Sequence, residues 1–317
     1  MSSLQHVEHR VTSSAAGSHG DFLATLDHLG VLRFSGEDAE PFLQGQLSCD
    51  VAQVSLRSGS YGAYCTPKGR MLANFLLWRD GSGFSMALSR DLVSVVEKQI
   101  SKFVLRSRVK VSDASNSIVL AGGAGEQAER ALGGMFSDLP AKPNEVRSLS
   151  GVGTAVRLKD GRLFFALTTP IESRVELTDA RVWRWLDIRA GLPLVTAATQ
   201  DQFIPQMTNL ELIGGVSFDK GCYTGQEVVA RAQHLGKVKR RMYLANAPVS
   251  AQAGDALFSG DLGEQASGMV VNAEASPEGG YDLLAVVQAS SRERSTVHLK
   301  APGGPALRFL PLPYAVA

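Results

Sequence analysis

Residues 216–231 read V-S-F-D-K-G-C-Y-T-G-Q-E-V-V-A-R, and the cysteine inside that run is the first thing to explain. Thr224-Gly225-Gln226-Glu227 fits the capping box Thr-x-x-Glu, in which a hydroxyl and a carboxylate satisfy each other's backbone N–H groups at a helix start. Val228, Val229, Ala232 and Leu235 then fall near one helical face, and Gly236 ends it. Cys222 thus stands two residues ahead of the expected N-cap, at the positive end of the helix, with Lys220 two residues away. Both neighbours favour thiolate over thiol. Gly221 and Gly225 let the backbone fold tightly around the sulfur. Such a thiol is a nucleophile, a metal ligand or a redox-sensitive group. The alternative is a structural cysteine packed under the turn.

The whole chain sets limits on these options. Its 317 residues are 44% hydrophobic and 20% charged, with a net charge of +1. That suits two or three globular domains and gives no global attraction to nucleic acid or membrane. The start, M-S-S-L-Q-H-V-E-H-R-V, lacks the apolar stretch of a secretory signal. No run reaches the ~18 apolar residues of a membrane helix, so a cytoplasmic protein is expected. The three cysteines, Cys49, Cys65 and Cys222, are odd in number and form no C-x-x-C. This argues against a disulfide framework and a zinc ribbon. One such chain also cannot supply four thiolates to an iron–sulfur cluster, so no resident metal site is expected.

Along the chain, residues 1–20 show no periodicity and read as a flexible start. A strand near Val31–Phe34 is followed by a helix carrying Phe42 and Leu43. The turns Pro67-Lys68-Gly69 and Asp80-Gly81-Ser82-Gly83 separate three strand-like runs. A helix over about 91–103 places Leu92, Val95, Val96 and Ile100 on one face. Strands and helices continue to the helix T-D-A-R-V-W-R-W-L-D-I-R-A-G (178–191), capped by Thr178 or Asp179 and ended by Gly191. After Arg241 short strands alternate with Gly, Pro and Asn, and no helix is evident. The fold class is therefore mixed α+β with a small all-β C-terminal unit. The boundaries run 1–20, 21–112, 113–240 and 241–317.

Two further features carry chemistry. The segment R-A-Q-H-L-G-K-V-K-R-R gathers Arg231, His234, Lys237, Lys239, Arg240 and Arg241. It is either a solvated face or a site for a polyanion such as a tail of glutamates. It holds no stacking aromatics, so direct nucleic-acid binding is not expected. Trp183 and Trp185 point to different sides of one helix. One belongs to the core, and the other is a candidate plate for a planar ring.

K-G-C-Y-T-G-Q-E (220–227) resembles the signature of the YgfZ family, GcvT-like tetrahydrofolate-binding proteins that support iron–sulfur enzymes. F-L-Q-G-Q-L-S-C-D-V (42–51), T-P-K-G-R-M-L (66–72), Q-F-I-P-Q-M-T-N-L (202–210) and L-P-L-P-Y (310–314) agree in order and spacing. The resemblance implies two intertwined α+β domains and a C-terminal β-barrel around a central cavity that takes a folate. It implies Cys222 and Lys220 as the reactive residues. Trp183, Arg189, Gln226, Glu227 and Arg231 are the implied folate-binding set. Two positions depart from the family: Arg189 stands where glutamate is frequent, and Leu29 where an aromatic is frequent.

Three functions follow as expectations. The first is a folate-binding accessory factor for iron–sulfur cluster assembly or repair. It would serve cluster carriers and enzymes, tRNA-modifying ones among them, and Cys222 would touch a cluster in transit. The second is an aminomethyltransferase-like one-carbon enzyme, which needs a carboxylate beside the reacting nitrogen. The third is a folate-independent thiol scaffold.

Overall fold

The computed structural model describes residues 20–171, 176–234 and 238–316. The flexible start expected for 1–20 lies almost wholly outside them, as do Leu235, Gly236 and Lys237.

In chain order, β1 (Phe22–Thr25), β2 (Leu29–Ser35), α1 (Ala39–Gln44), β3 (Ser60–Cys65), β4 (Met71–Asp80), β5 (Gly83–Ser89), α2 (Val93–Ser101) and β6 (Lys110–Asp113) come first. Then follow β7 (Val119–Ala124), α3 (Gly125–Gly133), β8 (Val146–Leu149), β9 (Gly153–Arg157), β10 (Leu163–Leu167), α4 (Ala180–Arg189) and α5 (Gln226–His234). The last group is β11 (Arg240–Ala247), β12 (Ala256–Ser259), β13 (Ala266–Ala275), β14 (Tyr281–Gln288), α6 (Ala289–Arg294), β15 (Val297–Leu299) and β16 (Arg308–Leu310).

These strands make three antiparallel sheets, ordered β3-β4-β5-β2-β6, β1-β7-β10-β9-β8 and β15-β12-β13-β14-β11-β16. β4 is buried over most of its length on both faces, which is why M-L-A-N-F-L-L-W reads as a continuous apolar run rather than an alternating one. β1 pairs with β7 in the second sheet although it precedes every strand of the first. The two N-terminal lobes are thereby interlaced. The third sheet curls until β15 meets the segment just ahead of β16: Leu307 N–H donates to Val297 O and Leu299 N–H to Pro305 O, each at 2.8 Å. That closure leaves little free edge. One apolar core runs through all three sheets, from Phe34 and Phe75 through Phe164 to Leu284 and Val286. The barrel keeps a second core of its own around Leu257, Val287 and Leu299.

The observed elements correct several expectations. On α2 the buried residues are Val93, Val96 and Ile100, while Val95 faces solvent. The preceding turn is 3-10, so the helical phase starts at Val93. The C-terminal unit does hold a helix, α6, whose polar A-S-S-R-E-R sequence carries no apolar period to reveal it. The reciprocal Thr224–Glu227 box does not close the turn before α5. The helix begins at Gln226, with Gly225 just ahead of it at φ +83°, and the Glu227 carboxylate pairs forward with Arg231 at 2.8 Å.

Candidate functional site: a central cavity and a cysteine-bearing loop

Where β3, β4, the β9–β10 hairpin and α4 meet, a cavity of about 70 Å³ opens, walled by Tyr61, Asn74, Phe75, Phe164, Trp183 and Asp187 with Leu29 and Leu158. Each wall has a local cause. Trp183 lies flush against β7 because residue 122 is glycine; a Cβ there would fall 2.3 Å from the indole. The fully buried Arg162 guanidinium sits 4.1 Å from the centroid of the Trp183 ring. It donates to Asp160 and Asp187, each at 2.6 Å, and to the Trp183 carbonyl. Asn74 uses both ends of its amide, donating to Pro193 O and accepting from Val195 N–H, each at 2.7 Å. It fixes the loop after α4.

Two groups in this wall carry the effects of burial. Burial pushes the Asp187 carboxyl up to about 6, against the opposing pull of Arg162 and a hydrogen bond from Trp183. The Tyr61 side chain is buried, and its hydroxyl has no hydrogen-bond partner. Burial is also the main cause that raises its pKa. An orphaned buried donor costs about 1–3 kcal/mol, a cost that a ligand with a suitably placed acceptor removes.

The cysteine lies in a second cluster built from three of the other quoted motifs. Lys220 donates to the carbonyls of Gln44, Leu47 and Cys49 at 2.7, 2.8 and 2.8 Å. Its ammonium also lies 5.2 Å from the Tyr223 ring centroid. Ser217 N–H donates to Ser48 O, and Ser48 Oγ to Gly215 O. Gln206 donates to Val229 O at 2.6 Å. Gly225 nests on the Thr66–Gly69 turn so closely that a Cβ would come 2.4 Å from Thr66 O. Three of the four accompanying motifs thus assemble around the signature loop, while L-P-L-P-Y packs at Gly191 instead; Cys222 on the loop is exposed, and Cys49 and Cys65 are buried. Burial pushes both hidden thiols up to about 12, which leaves them inert.

Lys220 therefore fixes the loop that presents Cys222, its ammonium donating to three backbone carbonyls. Gln226, Glu227 and Arg231 share this cluster, and none of them lines the cavity. Arg189, expected at a folate, turns the other way. It stacks 6.0 Å from the Trp185 ring centroid and pairs with Asp282 of β14 at 3.6 Å. Of the seven expected site residues only Trp183 walls the cavity. Tyr61 and Arg162 were missed. Tyr61 sits in a strand buried at every position but its first, so no alternation exposes a special face. Arg162 looks in sequence like an ordinary Asp-Gly-Arg turn.

Among the described residues no group of His, Cys, Asp and Glu side chains forms a metal site, and no helix is long and apolar enough to cross a membrane.

Interlaced α+β lobes, a curled C-terminal sheet and a cavity at their junction define the aminomethyltransferase fold. Glycine cleavage system aminomethyltransferase T from Bartonella henselae superposes with a TM-score of 0.75 at 18% identity, covering 94% of this chain and 88% of that one. No family model matches the sequence. The tRNA-modifying protein YgfZ of Escherichia coli strain SMS-3-5 / SECEC is 34% identical over 308 residues, 93% of each chain, and that of strain S88 is equally similar. The chain belongs to the YgfZ family.

Proposed function

We propose that this chain is a folate-binding accessory factor for iron–sulfur enzymes, those that modify tRNA among them, and that it acts through Cys222. The observation that carries the folate half is the Tyr61 hydroxyl, buried without a partner in a cavity that also holds an indole plate and a carboxylate. These groups fit a reduced pterin: rings to stack on, a carboxylate for its N–H edge, a hydroxyl for an acceptor atom. The cavity is small beside the roughly 300–1,000 Å³ of drug-sized ligand sites. It suits the ring end of a folate, with the tail directed outward. Bound tetrahydrofolate would supply a carrier for one-carbon units. Trp183 and Phe164 orient its rings and exclude water, Arg162 holds Trp183 and Asp187 in place, and Asp187 takes or gives a proton near neutral pH.

The thiol half rests on exposure. Cys222 is the one thiol among three that a partner can reach, and Lys220 holds its loop still. A single accessible thiol can contact a cluster in transit but cannot house one.

The test has two arms. Tetrahydrofolate titrated into the wild type should bind. Tyr61→Phe, which removes one buried hydroxyl and little else, should weaken binding about three- to tenfold, and Trp183→Ala by more. Absence of binding at high micromolar ligand defeats the folate half. Cys222→Ser should melt like the wild type yet fail to restore iron–sulfur enzyme activity in cells lacking the protein; full rescue removes the thiol from the mechanism.

Asp187 favours a second reading, aminomethyl transfer, because it places a proton-handling carboxylate in the cavity wall. Ammonia release from an aminomethyl-lipoyl carrier protein in the presence of tetrahydrofolate is its test.

A further inference from the structure

The β9–β10 hairpin turns through Leu158-Lys159-Asp160-Gly161-Arg162, with Gly161 in the left-handed region at φ +91°. The turn folds Asp160 back onto Arg162. Asp160 accepts the Arg162 backbone N–H at 3.2 Å and its Nε–H at 2.6 Å. From its other side the guanidinium donates through Nη2 to Asp187 at 2.6 Å, and Nη1 donates to the Trp183 carbonyl at 3.2 Å. Neither carboxylate receives the two-pronged guanidinium grip of a full ion pair. Arg147 also bridges two carboxylates, Asp138 and Glu145, but Asp138 stands 61% exposed and water screens that trio. Arg162 is 0% exposed, with Asp160 at 14% and Asp187 at 24%. One buried cation thus serves two carboxylates, an arrangement that favours the uptake of one proton.

The two carboxylates are not equivalent. Asp160 takes two N–H groups of Arg162 and Asp187 takes Nη2 alone, and only Asp187 lines the cavity. Asp187 meets Arg162 and Asp160 from the turn, the Trp183 indole from its own helix and the Tyr61 phenol from β3. Burial is the main influence that raises its pKa, and the Asp160 charge acts in the same direction against the pull of Arg162. We propose that Asp160 is a positioning residue for the proton of the cavity: by holding one edge of Arg162 it leaves Asp187 half-neutralised, so that Asp187 keeps a proton that it can give to the nitrogen-bearing ring of a bound molecule and take back. What the proton serves rests on the folate reading; its place on Asp187 does not. Asp160 acts through Arg162 and does not touch the ligand.

Carbon-13 labelling of the aspartate side chains lets NMR follow the Asp187 carboxyl through a pH titration of the full chain, with Asp187→Asn identifying its signal. In the wild type it should titrate near neutral pH. Asp160→Asn keeps an acceptor for the Arg162 backbone and removes one charge, which gives Arg162 over to Asp187. The Asp187 midpoint should then fall by about one pH unit, tenfold in proton affinity. Asp160→Glu keeps the charge and should titrate close to the wild type. Asp160→Ser serves if the asparagine variant does not fold, and it should move the midpoint the same way. Tetrahydrofolate affinity, measured across the same pH range, should turn at the Asp187 midpoint and follow it downward in Asp160→Asn. A role in turn structure alone would lower the melting temperature and leave the midpoint in place, and that result overturns the assignment. So does a wild-type Asp187 that titrates in the ordinary carboxylate range. Tetrahydrofolate that binds at no pH overturns the folate reading, while the carboxyl titration still decides where the proton sits.

Discussion

His28 and Asp187 are moved by burial in opposite directions. His28 directly precedes the cavity residue Leu29, and neither of its ring nitrogens has a partner. Burial, helped by the Arg184 charge, lowers its pKa to about 4. The folded state thus binds this proton less tightly than the unfolded chain, and stability is lost as pH falls from about 6.5 toward 4. Asp187 does the reverse. Raised to about 6, it favours its proton in the folded state, so its contribution is lost as pH rises from about 4 through 6. Denaturant unfolding between pH 4.5 and 7.5 should show His28→Phe gaining on the wild type as pH falls. Asp187→Asn should lose its relative advantage over the same interval. Curves parallel to the wild type in both variants would sink the assignment. At this scale the sequence was partly legible. Two tryptophans two residues apart on a helix had to face opposite ways, and they do. Arg189 misled because its partner, Asp282, comes from a strand far along the chain that no local pattern announces.

Between elements, the cysteine loop is held by contacts that a sequence motif marks without explaining. Lys220 gathers three carbonyls from the end of α1 and the segment after it. Gly225 and Gly69, at φ +83° and +70°, meet backbone to backbone. Lys220→Met should leave three acceptors without their shared donor, at a cost of about 2–3 kcal/mol. It should also speed amide exchange in 44–49 and 220–227 while β10 and α4 remain protected. Uniform loosening of the whole protein would show that the lysine supports the core rather than the loop. The residues that fix this loop were legible as a signature. Their physical role was not, because a capping box and a glycine-led turn share the letters T-G-Q-E. The glycine prevails because any side chain at 225 would strike Thr66 O.

Across the whole molecule, α4 joins two structures. One face presents Trp183 and Asp187 to the cavity. The other sends Arg184 to Glu274, and Trp185 and Arg189 to Asp282. Asp282 is 2% exposed and also accepts from Asn246 and Ser276. Asp282→Ala should cost about 3–5 kcal/mol, the penalty for stranding buried partners. It should also weaken tetrahydrofolate binding from outside the cavity; unchanged affinity in a folded variant would uncouple barrel from site. The α+β class and the strand-rich end, though not its helix α6, were readable from periodicity and turn residues. The interlacing of the lobes came only with the family resemblance, because nothing in F-L-A-T says that it pairs with a strand about a hundred residues later.

A helix with two such faces also limits how this protein can be recombined. Its last seventy or so residues look like a detachable module, yet a barrel transplanted from a distant relative would arrive without the helix face it was fitted to. Functional chimaeras should therefore need to inherit α4 and the barrel together, and inherited variation on the two should be correlated even though they lie far apart in the chain.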